Sequence, residues 1–253
     1  MNETSRFPST IIVIEDTALA ELRTNRELSP SYSDNGIVLL SPEQTRKRGL
    51  IDHLDSQGLL TPGTALIQSP YKRGVYARLD EAVPKFSVER ATIFSLFCAL
   101  LGAKSVQFDK LSLITSDSYC EADLSLGTQV LSIDSTNKLK LSRRDFRNIA
   151  SKLSIIDKYN PEFRNIEKAR DLIIDRRLTS DPVMSSMLEA AQIGCSMSSR
   201  RAQINLSQET RISQKAVIRL GLSALLSSLN ISLKALVSDE EDYEYITEVK
   251  VDF

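Results

Sequence analysis

Hydrophobic positions change their spacing several times along the chain, and each change marks an element. Ile11 to Ile14 form a short β-branched apolar run, followed by Asp16, which can cap a helix carrying Ala18, Leu19 and Leu22. Turn-forming residues fill 29–36, and "GIVLL" then repeats the pattern of a buried strand. "SPEQ" at Ser41 to Gln44 is a capping box with proline at the first helical position, and its helix is expected to end near Gly58. "TALIQ" and "GVYARL" predict two further strands joined through "SPYKRG". The order β-α-β-α-β-β predicts a small sheet with helices on it.

Residues 86–101 break this rhythm. Between Ala91 and Leu101 nothing is charged, and only Thr92 and Ser95 are polar. At 1.5 Å per residue such a helix reaches about 24 Å, short of a ~30 Å hydrocarbon layer. Ser87 is placed to cap it and Gly102 to stop it in a left-handed conformation. A capped helix that is apolar on nearly every face and too short to span a bilayer belongs inside a domain. It is the expected central core helix.

From Ser105 the period becomes two. Val106 and Phe108 are in phase, Leu111 and Leu113 are in the opposite phase, and a bulge between them reconciles the two. Cys120, Ala122, Leu124 and Leu126 alternate with polar residues. After Gly127 the alternation resumes with Leu131 and Ile133, so an antiparallel hairpin with one wet face is expected. "SRRD", "NPE" and "DPV" at Ser142, Asn160 and Asp181 each open a predicted helix. The apolar faces are Phe146, Ile149, Ala150 and Leu153; then Phe163, Ile166, Ala169 and Ile173; then Met184, Met187, Leu188 and Ala191, closed by Gly194. "RAQINL" predicts a strand, and Ser207 a cap for a helix with Ile212, Ala216, Val217 and Leu220 in register. A final hairpin is expected to pair 229–237 with 243–253, tying the C-terminus into a sheet.

The predicted class is therefore α+β: a small N-terminal α/β unit (1–83), then antiparallel hairpins and helices around a central buried helix (84–253), as two units or one continuous domain. The 253 residues suffice for a core without disulfides. Lys plus Arg number 32 and Asp plus Glu 33, so any polyanion or membrane surface must be met by a local patch. Cys98, Cys120 and Cys195 form no CxxC pair, and the N-terminus carries no secretory signal pattern. Reduced cysteines and a cytoplasmic location are expected.

Candidate chemistry is sparse. His53, the only histidine, sits between Asp52 and Asp55 near a predicted helix end, where a cation complements the dipole. A triad, a histidine-zinc site or a histidine base would all need it. The acidic run at 238–244 lacks calcium-loop spacing, and no P-loop, GxGxxG, GxSxG or HExxH occurs. No cofactor, metal site or catalytic residue is expected. The basic clusters remain: Arg46, Lys47 and Arg48; Lys72 and Arg73 beside Tyr71; Arg143 and Arg144; Arg200 and Arg201. Guanidinium forks near helix starts and turns suit phosphate, while near-zero net charge favours an ordinary solvated surface.

Three functions follow as expectations. The first is a non-enzymatic binding or assembly protein, acting on a protein partner or on itself through exposed sheet edges. The second is a conditional membrane-active protein, off the membrane at rest. Its amphipathic strands and apolar helix are similar, in layout alone, to small pore-formers such as gasdermins. The third is an enzyme of phosphate esters or nucleic acid working through the arginine pairs and carboxylates.

Overall fold

The computed structural model describes residues 7–17, 19–20, 37–43, 48–115, 119–124, 129–133, 140–154, 156–195, 198–211 and 243–253. Among the described residues, helices and two separate sheets make the fold α+β, as the patterning predicts. The described residues gather into two compact units, one within Met1–Ala82 together with Thr210 and Arg211, and one within Val83–Glu209 and Glu241–Phe253.

The first unit is a four-stranded sheet. β1 (Thr10–Val13) lies between β2 (Ile37–Leu40), parallel to it, and β3 (Thr64–Gln68), antiparallel; β4 (Tyr76–Arg78) follows β3 as a hairpin. Helix α1 (Arg48–Asp55) packs Leu54 into a core of Ile11, Val13, Leu40, Leu66 and Tyr76. Pro42 and Glu43 form a turn, with the Glu43 amide donating to Ser41 Oγ at 3.3 Å, so the expected helix does not begin at Pro42. Proline fits that turn as well as it fits a first helical position. Gln44 and the loop at 29–36 lie outside the described residues.

The second unit begins at Val83, in the first turn of α2 (Ala82–Leu100). It starts earlier than expected, because Pro84 falls in the first turn, where its missing N–H costs no hydrogen bond. Ser87 is thus inside the helix and fully buried rather than capping it. Phe86, Phe94, Phe97 and Cys98 are completely buried, while Lys85, Thr92 and Leu96 form a thin exposed stripe. Gly102 ends the helix at φ 94°, with its amide on the Ala99 carbonyl and that of Ala103 on Cys98.

A six-stranded antiparallel sheet follows: β5 (Ser105–Thr115), β6 (Tyr119–Asp123), β7 (Gln129–Ile133), β8 (Ile156–Lys158), β9 (Ser199–Asn205) and β10 (Tyr243–Asp252). Its order is β7-β6-β5-β10-β9, with β8 on the start of β5. The expected bulge is present. Val249 faces Phe108 and Glu248 faces Lys110, so Asp109 is an extra residue, and Val106, Phe108, Leu111 and Leu113 share the buried face. Helix α3 (Lys140–Leu153) buries Phe146, Ile149, Ala150 and Leu153.

The "NPE" helix is corrected. Asn160 supports only a 3-10 turn (Pro161–Phe163), and Phe163 is 75% exposed. Tertiary bonds interrupt it: the Asn165 amide donates to the Leu100 carbonyl at 2.7 Å and Arg164 Nη2 to the Ala191 carbonyl at 3.2 Å. Asn165 then caps α4 (Ile166–Asp175), its Oδ1 accepting from the Lys168 amide at 2.9 Å. Asp181 caps α5 (Pro182–Gln192) as expected, burying Met184, Met187 and Ala191.

The C-terminal hairpin is also corrected. β10 pairs with β5 on one edge and β9 on the other, so neither edge is left for 229–237 along Ile246 to Asp252. Residues 229–237 themselves lie outside the described residues, as do Ile212, Ala216, Val217 and Leu220. The chain end is tied into the sheet, as expected. Ser207 does not serve as the predicted cap. Its hydroxyl accepts from the Tyr245 amide at 3.0 Å, and Asn205 Oδ1 accepts from the amides of Ser207 and Gln208 instead.

Candidate binding edge and open sheet face

Alternation in β10 sorts the second sheet into two faces. Tyr245, Thr247, Val249 and Val251 are buried, and their β9 neighbours on that face are Ile204, Ala202 and Arg200. The opposite face carries polar rows across three strands: Lys110, Glu248 and Gln203; then Gln107, Lys250 and Arg201; then Ser105, Asp252 and Ser199. β6 extends it with Tyr119, Glu121 and Asp123.

Much of this face is internally paired. Lys110 Nζ donates to Glu121 at 3.2 Å, and Tyr119 donates its hydroxyl proton to the other Glu121 oxygen. The Tyr119 bond, then Lys110, holds the Glu121 carboxyl below its ordinary range, and the bond to Glu121 raises Lys110. Gln203 donates to Glu248 at 3.4 Å and Lys250 meets Asp252 at 3.2 Å. Where the Asp109 bulge bends β5, a depression of about 470 Å³ opens, lined by Asp109, Lys110, Glu248, Arg201 and Gln203 among others.

The hydrogen-bond phase of β9 exposes its outer edge. The Phe253 amide donates to the Ser198 carbonyl at 3.0 Å and the Leu206 amide to the Tyr245 carbonyl at 2.8 Å. These bonds set the even-numbered β9 residues as the hydrogen-bonded partners of β10. The odd-numbered ones, Ser199, Arg201, Gln203 and Asn205, therefore turn their backbone N–H and C=O groups outward. Among the described residues no strand pairs that edge, and Ser199, Arg201 and Gln203 are exposed.

The predicted basic residues do not form one surface. Arg46 and Lys47 lie outside the described residues; Arg48 starts α1, and Arg143 and Arg144 lie in α3, but nothing is described of these three side chains. Lys72 and Arg73 are exposed on the β3–β4 turn, where Ser69 Oγ accepts from the Tyr71 and Lys72 amides. Arg200 and Arg201 point to opposite faces of β9. Arg200 is half-buried and donates to Ser186 Oγ at 3.0 Å, while Arg201 is exposed beside Lys250. Period-two geometry separates adjacent residues, so this pair is not a fork. Sequence patterning missed Lys110, Gln203, Glu248 and Lys250: it places them on a wet face without showing which strands are neighbours.

Other reactive groups serve the fold. His53 is half-buried beside Phe7, with ring centroids 5.4 Å apart, and its Nε2–H donates to the Gly74 carbonyl at 2.5 Å. Ser95 donates to Asp157 and accepts from the Tyr159 hydroxyl at 2.8 Å; burial above all raises the Tyr159 phenol. Burial pushes the Cys98 thiol far up, away from the reactive thiolate. Among the described residues, no three His, Cys, Asp or Glu side chains come together as metal ligands, and no helix is long and apolar enough to cross a membrane. No protein family, no curated protein and no solved structure matches the chain.

Proposed function

We propose that this is a cytoplasmic, non-enzymatic binding or assembly protein whose interface is the outer edge of β9. The supporting observation is the outward row of backbone groups at Ser199, Arg201 and Gln203 on a strand whose other edge is fully paired. Unpaired edges are templates for strand addition. Main-chain hydrogen bonds then supply affinity, and alternate side chains supply selectivity. Two buried thiols, Cys98 and Cys120, fit a reducing compartment.

The test removes one outward donor. Gln203→Pro deletes an N–H that points away from β10, so the β9–β10 ladder survives. Native mass spectrometry of the full chain purified from its own cells should find a protein partner or a second copy bound to the unaltered chain and lost from the variant. A monomer in both cases, or a partner retained by the variant, would contradict the reading.

A further inference from the structure

We infer that the occupant of the β9 edge is an extended strand of a partner protein that places a carboxylate opposite Arg201. This rests on the edge being an interface and adds the chemistry of what it takes. Arg201 and Lys250 face each other in a non-hydrogen-bonded pair of the β9–β10 ladder, the arrangement that brings opposed side chains closest. Two cations so placed repel each other. Lys250 is relieved by Asp252 at 3.2 Å, while the exposed Arg201 guanidinium has no partner among the described residues.

A strand added antiparallel to β9 makes paired backbone bonds with Arg201 and Gln203, and the side chains opposite these two project onto the open face. A carboxylate opposite Arg201 completes a row of Lys250, Arg201 and acid. Its two oxygens can accept the two parallel N–H bonds of the guanidinium fork, which lysine in place of Arg201 could not offer. The neighbouring position faces Ala202 on the covered side and takes a small or apolar residue; the next faces Gln203 and takes a polar one. A second copy of β9 brings no acid to this edge, since Ser199–Asn205 reads SRRAQIN. The occupant is therefore a different, acidic strand.

The experiment selects random short displayed peptides on the intact chain, then retests the enriched ones on Arg201→Glu and Gln203→Pro. The expected consensus alternates, with Asp or Glu at one fixed position. Binding should fall about tenfold or more on Arg201→Glu, recover when that acid is changed to lysine, and vanish on Gln203→Pro. Peptides sensitive to Gln203→Pro but lacking the acid, or indifferent to Arg201→Glu, would overturn this inference and leave the edge as an interface. Peptides indifferent to Gln203→Pro, no enriched peptide at all, or self-association through β9 instead of peptide binding would overturn the acidic-strand assignment, and the first two would remove the edge reading with it.

Discussion

The Asp181 carboxylate holds Arg90 and caps a helix at the same time. Its Oδ1 accepts from the Met184 amide at 2.7 Å at the start of α5, while Oδ2 accepts from the guanidinium of Arg90 in α2. Arg90 is 1% exposed and Asp181 14%. One residue thus sets both the origin of α5 and its position on the core helix.

Asp181→Asn separates these roles, because asparagine caps as well as aspartate but carries no charge. The buried guanidinium is left uncompensated, and denaturant unfolding should show a loss of about 3 kcal/mol. Asp181→Ala should lose about 1 kcal/mol more with the cap. Equal stability of Asp181→Asn and the unaltered chain would show that the ion pair does not hold α2 and α5 together.

Phe94 and Phe97 are completely buried on α2. Replacing either with alanine should cost about 3–5 kcal/mol, the transfer and cavity terms together. Losses below about 1 kcal/mol at both positions would make α2 peripheral.

The bulge predicts an asymmetry between two deletions in one strand. Removing Asp109 leaves Val106, Phe108, Leu111 and Leu113 in phase against β10. It should yield a folded protein weakened by about 1 kcal/mol, from the lost Leu124 amide bond to the Asp109 carbonyl. Removing Gln107 turns Val106 to the wet face and should cost more than about 2 kcal/mol. Equal losses on thermal unfolding would contradict the register.

Tyr76 gives a pH signature. Burial lifts its phenol from 10.0 to about 12, and the hydroxyl donates to the Pro8 carbonyl at 2.8 Å. Between these values the unfolded chain releases its proton while the folded one keeps it, so stability falls as pH rises from 10 to 12. Below pH 10 the contribution is fully present. Tyr76→Phe should remove that part of the alkaline slope, measured as the difference between the two unfolding curves. Parallel slopes would mean that Tyr76 ionises as freely folded as unfolded.

Periodicity made the core legible and left pairing hidden. The phase change between Phe108 and Leu111 located the Asp109 bulge, because a buried face tolerates no other solution. The alternation of 243–253 found β10 but not its neighbours: a strand buried on one face looks the same whether its partner is the previous strand or one more than a hundred residues away. Cap motifs misled where two candidates competed. Asn160 and Asn165 both open helix-like sequence, and the bond from Asn165 to Leu100, invisible locally, decides between them. The arginine pairs drew attention by adjacency, yet in β9 adjacency separates side chains. The outward edge depended on hydrogen-bond phase, which no side-chain pattern encodes.

Residue-resolved amide exchange along β9 reads out whether its outer edge is open. In the free protein the amides of Ala202 and Ile204, bonded to β10, should exchange slowly, while those of Arg201 and Gln203 should exchange at rates near an open chain. Adding a bound acidic strand should slow Arg201 and Gln203 selectively. Uniform slow exchange from Arg200 to Ile204 in the free protein would show that the edge is already covered and is not a docking site.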